Sequence, residues 1–372
     1  MNRYVSYHYF INTFSNIMLL VPYHLTVARF DGAVLAILLS PVIGGILLYM
    51  FTSGMQVFPG KGLPEIFSLF YPKWLVRILM TFKAVLIGTS TAIVVTSYSV
   101  IITRFLNPEG NQYAIMAVLM LVCAFGATRS TVTVNFILEI ILILNIPLIG
   151  FIIYKSIHNP LMSWDAIIIV AKHFYQLPSL LVFASTMFVF TGFMNLAIFN
   201  RVLPPNFRFK HRWAFPFVAF LVLVVTFFVP IGIHGTEAVV HYVFLWSATA
   251  DSLKMMYGFI ERVLLIFLLV IINLSLTYTV VGWHIVLEFF KSLFPNNKVD
   301  SDEAKPPLKT YIIMAGILVS TFLLMFSINE LTVVFLGAVF LIIRMCSDVI
   351  FTIWMYVLSK KKVRRYEKKA NA

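Results

Sequence analysis

Phe190-Thr191-Gly192-Phe193-Met194-Asn195 interrupts a hydrophobic run over 178–200 and is followed by Asn200 and Pro204-Pro205. A membrane-spanning helix needs roughly 20 mostly apolar residues, so the run is long enough to span. Polar residues at that depth are costly unless they face a cavity or a partner. Glycine and asparagine within apolar sequence also mark places where a helix opens and frees backbone groups. The first hydrophobic run has the same character: Asn12-Thr13-Phe14-Ser15-Asn16, then Pro22. Two interrupted helices in one chain suggest a transporter architecture, in which such helices sit at corresponding positions of inverted repeats.

Working outward from these two stretches, the hydropathy gives ten spans: 5–25, 33–55, 76–103, 112–128, 135–155, 178–200, 214–233, 259–288, 310–327 and 331–358. The third and eighth are long enough to tilt. Asn329-Glu330 separates the last two. Ten divides into five plus five, and an odd number per repeat inverts the second half, so helices 1 and 6 correspond. The expected fold is therefore an all-α integral membrane protein with a five-plus-five inverted repeat. It is a single transmembrane domain, with repeats at 5–155 and 178–358 and a basic tail at 359–372. Helices 1 and 6 should be broken near Ser15–Leu19 and Thr191–Asn195 and lie side by side.

Composition agrees. The 372 residues are 60% hydrophobic and 12% charged, with a mean hydropathy of +0.93. Soluble domains are about 45–50% apolar and about 25% charged, so lipid must solvate much of this surface. The net charge of +13 does not point to nucleic acid. Its densest run, Lys360-Lys361-Lys362-Val363-Arg364-Arg365, follows a hydrophobic span directly, as a cytoplasmic anchor beside anionic lipid does.

Lysine and arginine in the loops set the orientation. With ten crossings and the N-terminus inside, twenty lie inside and Arg29, Arg104, Lys155, Lys172 and Lys254 outside; Lys83, Arg262 and Arg344 fall within or at the edges of spans. Both termini are thus expected in the cytoplasm. The first run lacks a basic n-region and a small-residue cleavage site and reads as a permanent helix. Trp74, Trp164, Trp213 and Trp354 sit near predicted span ends, where tryptophan favours the interface.

Enzyme chemistry finds no support. No P-loop, GxSxG or HExxH pattern occurs. Cys123 and Cys346 lie far apart in apolar runs and the histidines are scattered, so no metal or other cofactor is expected. Candidate binding residues are those of the two interrupted helices, Thr13, Ser15, Asn16, Phe190, Thr191, Gly192 and Asn195, with Tyr278 from helix 8 beside Ser275 and Thr277. The alternative is that these residues only join helices. Charges within spans are few. Arg344 and Asp348, an i, i+4 pair, should neutralise each other. Lys83 should snorkel along its stem or stand as a fixed positive charge in place of a coupling cation. Glu139 lies near the start of helix 5, and Glu261-Arg262 opens helix 8.

Several stretches, in order, carry a resemblance to a known family: Leu20-Val21-Pro22; Arg29-Phe30-Asp31-Gly32-Ala33; Phe58-Pro59-Gly60-Lys61-Gly62-Leu63-Pro64-Glu65-Ile66; Arg129; Phe188-Val189-Phe190-Thr191-Gly192-Phe193 with Pro204; and Phe259-Ile260-Glu261-Arg262. Together they resemble the B-subunit, or spore-permease, family of spore germinant receptors, within the amino acid–polyamine–organocation transporter superfamily. The resemblance implies a small-molecule germinant sensor in the inner membrane of a bacterial spore. It also implies partnership with an A-type membrane subunit and a C-type lipoprotein. Secondary amino acid or amine transport, and a structural subunit with an empty pocket, are the other readings.

The ligand expected from this combination is small and amino-acid-like. Backbone N–H groups freed in helix 1 would receive its carboxylate, as helix N-termini receive anions. Carbonyls opened in helix 6, with Thr191 and Asn195, would receive its amino group. Ile17 stands where the family often has glycine, and Met194 where it often has an acidic residue. A side chain packed on Phe190 and Met194 therefore fits better than a diamine. The charge asymmetry carries its own expected outcome: a cysteine placed in the tail of intact cells is labelled only after permeabilisation. Labelling from outside would reverse the orientation.

Overall fold

The computed structural model describes residues 2–16, 20–204, 207–253, 262–294, 307–326 and 330–370. Among them the extended elements are all helices. The first expected span is occupied by α1 (Asn2–Asn16) and α2 (Leu20–Val27), the second by α3 (Ala33–Gln56). A short α4 (Leu63–Ser68) precedes α5 (Lys73–Phe105), α6 (Gln112–Ala127) and α7 (Thr131–Ile157). After α8 (Trp164–Ala171) comes the sixth span, as α9 (Leu180–Val189), a 3-10 turn over Thr191–Asn195, α10 (Leu196–Phe199) and a second 3-10 turn over Asn200–Val202. Then follow α11 (Ala214–Ala238), α12 (Leu245–Asp251), α13 (Val263–Ser292), α14 (Leu308–Phe326) and α15 (Glu330–Ala370). Every expected span thus coincides with a helix or a helix pair. Of these, α3, α5, α7, α11, α13 and α15 are each long and apolar enough to cross a membrane, the bent sixth span is a possible seventh, and α6 and α14 are shorter apolar helices.

Local chemistry sets the helix starts. Asn111 accepts from the Tyr113 and Ala114 amides before α6, Ser130 from Thr133 before α7, and Ser179 from Val182 before α9. Each satisfies a donor the first turn leaves unpaired. Before α3 the chain needs the left-handed Gly32 (φ 88°), and the backbone of Pro178 lies 2.5 Å from where its Cβ would stand. Both the dihedral and the space exclude a side chain.

The outer surface is apolar in helical stripes. On α6, Val118, Leu121, Val122 and Phe125 are all more than half exposed. Val42, Ile46 and Tyr49 do the same on α3, beside the nearly half-exposed Leu38. Stripes this large need an apolar solvent, and in a bundle of spanning helices that solvent is lipid. The centre is built from α13 and α5, whose most apolar windows are 67% and 61% buried, against 22% for α7. Trp74, Trp164 and Trp213 face outward at or beside the starts of α5, α8 and α11. Trp354 instead turns inward and donates to the Tyr71 hydroxyl at 2.7 Å.

The connections after the fifth and seventh expected spans carry α8 and α12. The structure departs from the sequence reading in two places. The last helix does not stop near 358. It continues to Ala370 through the basic segment, because Lys and Arg are good helix formers and no Gly or Pro stops them. Lys83 does not snorkel: its ammonium is 3% exposed and paired with Asp348. Glu261, Asn329 and residues 17–19 lie outside the described residues.

Gly282 of α13 meets α5 side-on, so a Cβ there would collide with the Thr91 methyl, whereas nothing lies within 4 Å of Gly150 on α7. Gly282→Leu is expected to lower the thermal midpoint in detergent by the equivalent of about 1–3 kcal/mol, and Gly150→Leu to leave it unchanged.

Candidate functional site

The sixth span bends by 63° between Val189 and Thr191. Phe190 leaves the helix at φ −93°, ψ 0°, and Thr191–Asn195 continues as a 3-10 turn. A break inside an apolar bundle frees carbonyls that lipid cannot satisfy. Here α1 satisfies them. Asn12 Nδ2 donates to Phe188 O at 2.9 Å, and the Thr13 hydroxyl lies 3.1 Å from Val189 O and 3.2 Å from Tyr9 O. Thr191 Oγ1 donates back to Phe188 O at 2.9 Å. In return Asn195 Nδ2 donates to His8 O at 3.1 Å. Gly192 permits this approach, since any Cβ there would meet the backbone of Tyr9.

The two interrupted stretches are therefore adjacent, and much of their polar character joins them to each other. Phe188 O has both lone pairs engaged, so it is not open to a ligand's amino group. Gly192 seats a helix rather than walling a pocket. Phe190 is fully buried against Gly44 of α3, 2.6 Å from that glycine's Cβ position, and its neighbour Phe188 takes the cavity-facing place. Ile17 and the Asn16 side chain lie outside the described residues.

A cavity of about 20 Å³ remains between Ser15 of α1, Leu20 and Val21 of α2, Ser90, Ile93 and Val94 of α5, Phe188 of α9 and Phe340 of α15. That is room for about one water. Ser90 shares a 2.6 Å hydrogen bond with the Tyr278 hydroxyl. Ser15 and Tyr278, both expected from sequence, are thus brought together through Ser90, which was not. Thr13, Gly192, Thr191 and Asn195 belong to the seam beside them. A sequence signal for Ser90 existed: it lies in one of two hydroxyl clusters, Thr89-Ser90-Thr91 and Thr96-Ser97, in a largely apolar helix.

Behind the cavity lies a buried charge cluster. Lys83 Nζ and Arg344 Nε each hold one oxygen of Asp348 at 2.8 Å, and all three side chains are at most 5% exposed. The Arg344 guanidinium sits 6.0 Å from the centre of the Phe188 ring. The i, i+4 bridge matches the sequence reading, while the third member, from a helix 265 residues away in sequence, does not follow from spacing.

At the end of the bundle that carries the N-terminus, the Phe58–Ile66 stretch closes over the second half of the broken helix. Arg201 contacts Glu65 at 2.6 Å and Glu288 at 2.7 Å, and Lys291 adds a 2.8 Å bond to Glu288. Asn200 donates to the carbonyls of Phe58 and Lys61 at 3.0 and 2.8 Å. Glu65 accepts from the Gly62 amide at 2.8 Å. Nearby, His8 bonds to Asn135 at 2.7 Å and His284 to Thr131 at 2.9 Å. Among the described residues no group of His, Cys, Asp and Glu is placed to hold a metal ion.

No protein-family model matches the chain, and no curated protein matches it. Among solved structures it is similar to Mhp1, a nucleobase-cation-symport-1 family transporter, in a closed conformation with bromovinylhydantoin bound. The TM-score is 0.53 at 12% identity, over 88% of this chain and 72% of that one. At that identity the likeness is one of fold. The protein is a multi-pass, all-helical membrane protein with a transporter-like fold.

Removing Arg201 leaves buried Glu288 and its partner loop short of a counter-charge. Arg201→Met is expected to cost about 3–5 kcal/mol, read as a lower unfolding temperature in detergent. Arg29→Met, whose partner Glu237 is 86% exposed, should cost under about 1 kcal/mol.

Proposed function

We propose that this chain is a germinant-sensing subunit of a spore germination receptor, binding a small amino-acid-like ligand in the cavity between its interrupted helices. The observation that carries the reading is the break itself. A helix interrupted at Phe190, stitched to a polar α1, stands beside a cavity edged by the hydroxyls of Ser15 and Ser90. The spore-permease resemblance gives the sensing role. Its most specific stretch, Phe58 to Ile66, packs onto the lower half of the same broken helix through Asn200 and Arg201. Ligand occupancy above the break and closure of this loop below it thus share one element. The subunit would act with an A-type membrane subunit and a C-type lipoprotein in the spore inner membrane, with both termini cytoplasmic and repeats at 5–155 and 178–358.

A second reading, secondary active transport of an amino acid or amine, is favoured by the fold likeness to a cation symporter. The two differ in flux. Purified protein in proteoliposomes with an imposed sodium or proton gradient should show no saturable uptake of any of the twenty amino acids. At least one of them should raise the thermal midpoint of wild type but not of Ser90→Leu, whose added bulk fills the cavity. Saturable gradient-driven uptake would replace the sensor by the transporter; a shift that survives Ser90→Leu would place the ligand elsewhere.

A further inference from the structure

The two ionic clusters of the interior differ in charge balance. Around Arg201, two cations (Arg201, Lys291) face two carboxylates (Glu65, Glu288). Around Asp348, two cations (Lys83, Arg344) share one carboxylate. This second cluster is the deeper one: Lys83 stands ten residues into α5, about 15 Å along the helix. A net positive charge at that depth is unfavourable without a counter-ion.

Arg344 is also incompletely used. It gives Asp348 its Nε–H, and no hydrogen bond from Nη1 or Nη2 to another described residue accompanies it, although the side chain is 95% buried (5% exposed). A guanidinium carries five N–H donors in a fork suited to a carboxylate. One turn before it on α15 is Phe340, a wall of the cavity. One turn after it, the Ser347 hydroxyl is buried with no partner. The ring of Phe188, a cavity wall, has its centre 6.0 Å from the guanidinium. Tyr278, bonded to cavity-lining Ser90, lies within electrostatic reach of Arg344.

We propose that the cavity takes an organic acid, whose carboxylate is received by the free edge of Arg344 and supplies the missing negative charge of the Lys83–Asp348–Arg344 cluster. The inference rests on the reading that a ligand occupies this cavity, and it moves the acid seat from α1 to the opposite wall. The cavity as it stands holds about one water, so the acid enters only as the Phe188 ring turns aside, which enlarges the space and exchanges a cation–π contact for a charge-assisted pair. The Ser15 hydroxyl, which donates to Leu274 O at 3.5 Å, and the mutually bonded hydroxyls of Ser90 and Tyr278 each keep a lone pair for the polar remainder of the molecule. The side chain of such a ligand meets Leu20, Val21, Ile93 and Val94, so a short, partly apolar acid fits better than a polyanion.

The test uses the full-length protein in detergent, with thermal midpoints measured in a low-salt buffer free of carboxylate and chloride. The probes are the twenty amino acids, their amides, short monocarboxylates and sodium chloride. Carboxylates should stabilise and the matching amides should not. Arg344→Met leaves Lys83 and Asp348 as a neutral pair, so the ligand-free protein should be at least as stable as wild type. Its affinity for the acid should fall about 10- to 100-fold, the loss of a charged hydrogen-bonded contact. Arg344→Lys should recover part of it. An amide that stabilises wild type and Arg344→Met equally, yet fails in Ser90→Leu, would overturn the acid seat while keeping the cavity. Full stabilisation by chloride alone would make the counter-ion inorganic and overturn the organic acid. Absence of any carboxylate response would overturn the proposal outright.

Discussion

In lipid no solvent accepts a hydrogen bond, so every backbone group released by a bent helix must find a partner inside the protein. That constraint organises this molecule. The bend at Phe190 releases the carbonyls of Phe188 and Val189, and α1 approaches closely enough for Asn12 and Thr13 to take them. The approach depends on Gly192 lying against the Tyr9 backbone. Once α1 is fixed there, Ser15 faces Ser90 of the central helix α5, and the small cavity follows from what these elements leave unfilled. The bend, the seam and the cavity are one arrangement seen at three scales.

Charge follows the same logic of internal compensation, with one exception. Polar groups at depth are paired across helices: Asn273 with Asn145 at 3.4 Å, His8 with Asn135, His284 with Thr131. Arg201 is held by carboxylates from two different elements, which ties the Phe58–Ile66 stretch to the 3-10 turn after α10 and to α13. The Lys83–Asp348–Arg344 cluster is where compensation stops short by one negative charge. Glu288 is also shared by two cations, Arg201 and Lys291, but there Glu65 restores the balance; around Asp348 no other described carboxylate does.

The interrupted helix also couples the two ends of the protein. Its upper half, α9, contributes Phe188 to the cavity wall, and its lower half carries Asn200 and Arg201 to the loop. Gly44 on α3 receives the Phe190 ring at the hinge itself. A change in the packing of Phe188 is therefore transmitted through three residues to a 3-10 turn with weaker hydrogen-bond geometry than an α-helix. In the proposed function, this is the path along which ligand occupancy and loop closure would be linked.

Hydropathy and interruptions in it determined most of the fold from the sequence alone. Apolar runs of spanning length have one low-energy form in lipid, the helix, so each expected span is matched by a helix or a pair. The break at Thr191–Asn195 was legible because glycine and asparagine at depth have few other uses. The bridge between Arg344 and Asp348 was legible because i, i+4 spacing is local. What only the tertiary structure decided is which polar residues join helices and which line the cavity. Thr13, Asn195 and Gly192 carry the same sequence signal as Ser15, but they are consumed in the seam, whereas Ser15 reaches the cavity. Lys83 finds Asp348 across 265 residues of chain, and Phe188 rather than Phe190 faces the cavity. These assignments depend on the rotation and approach of one helix against another, set by packing among many side chains, and no local pattern encodes them.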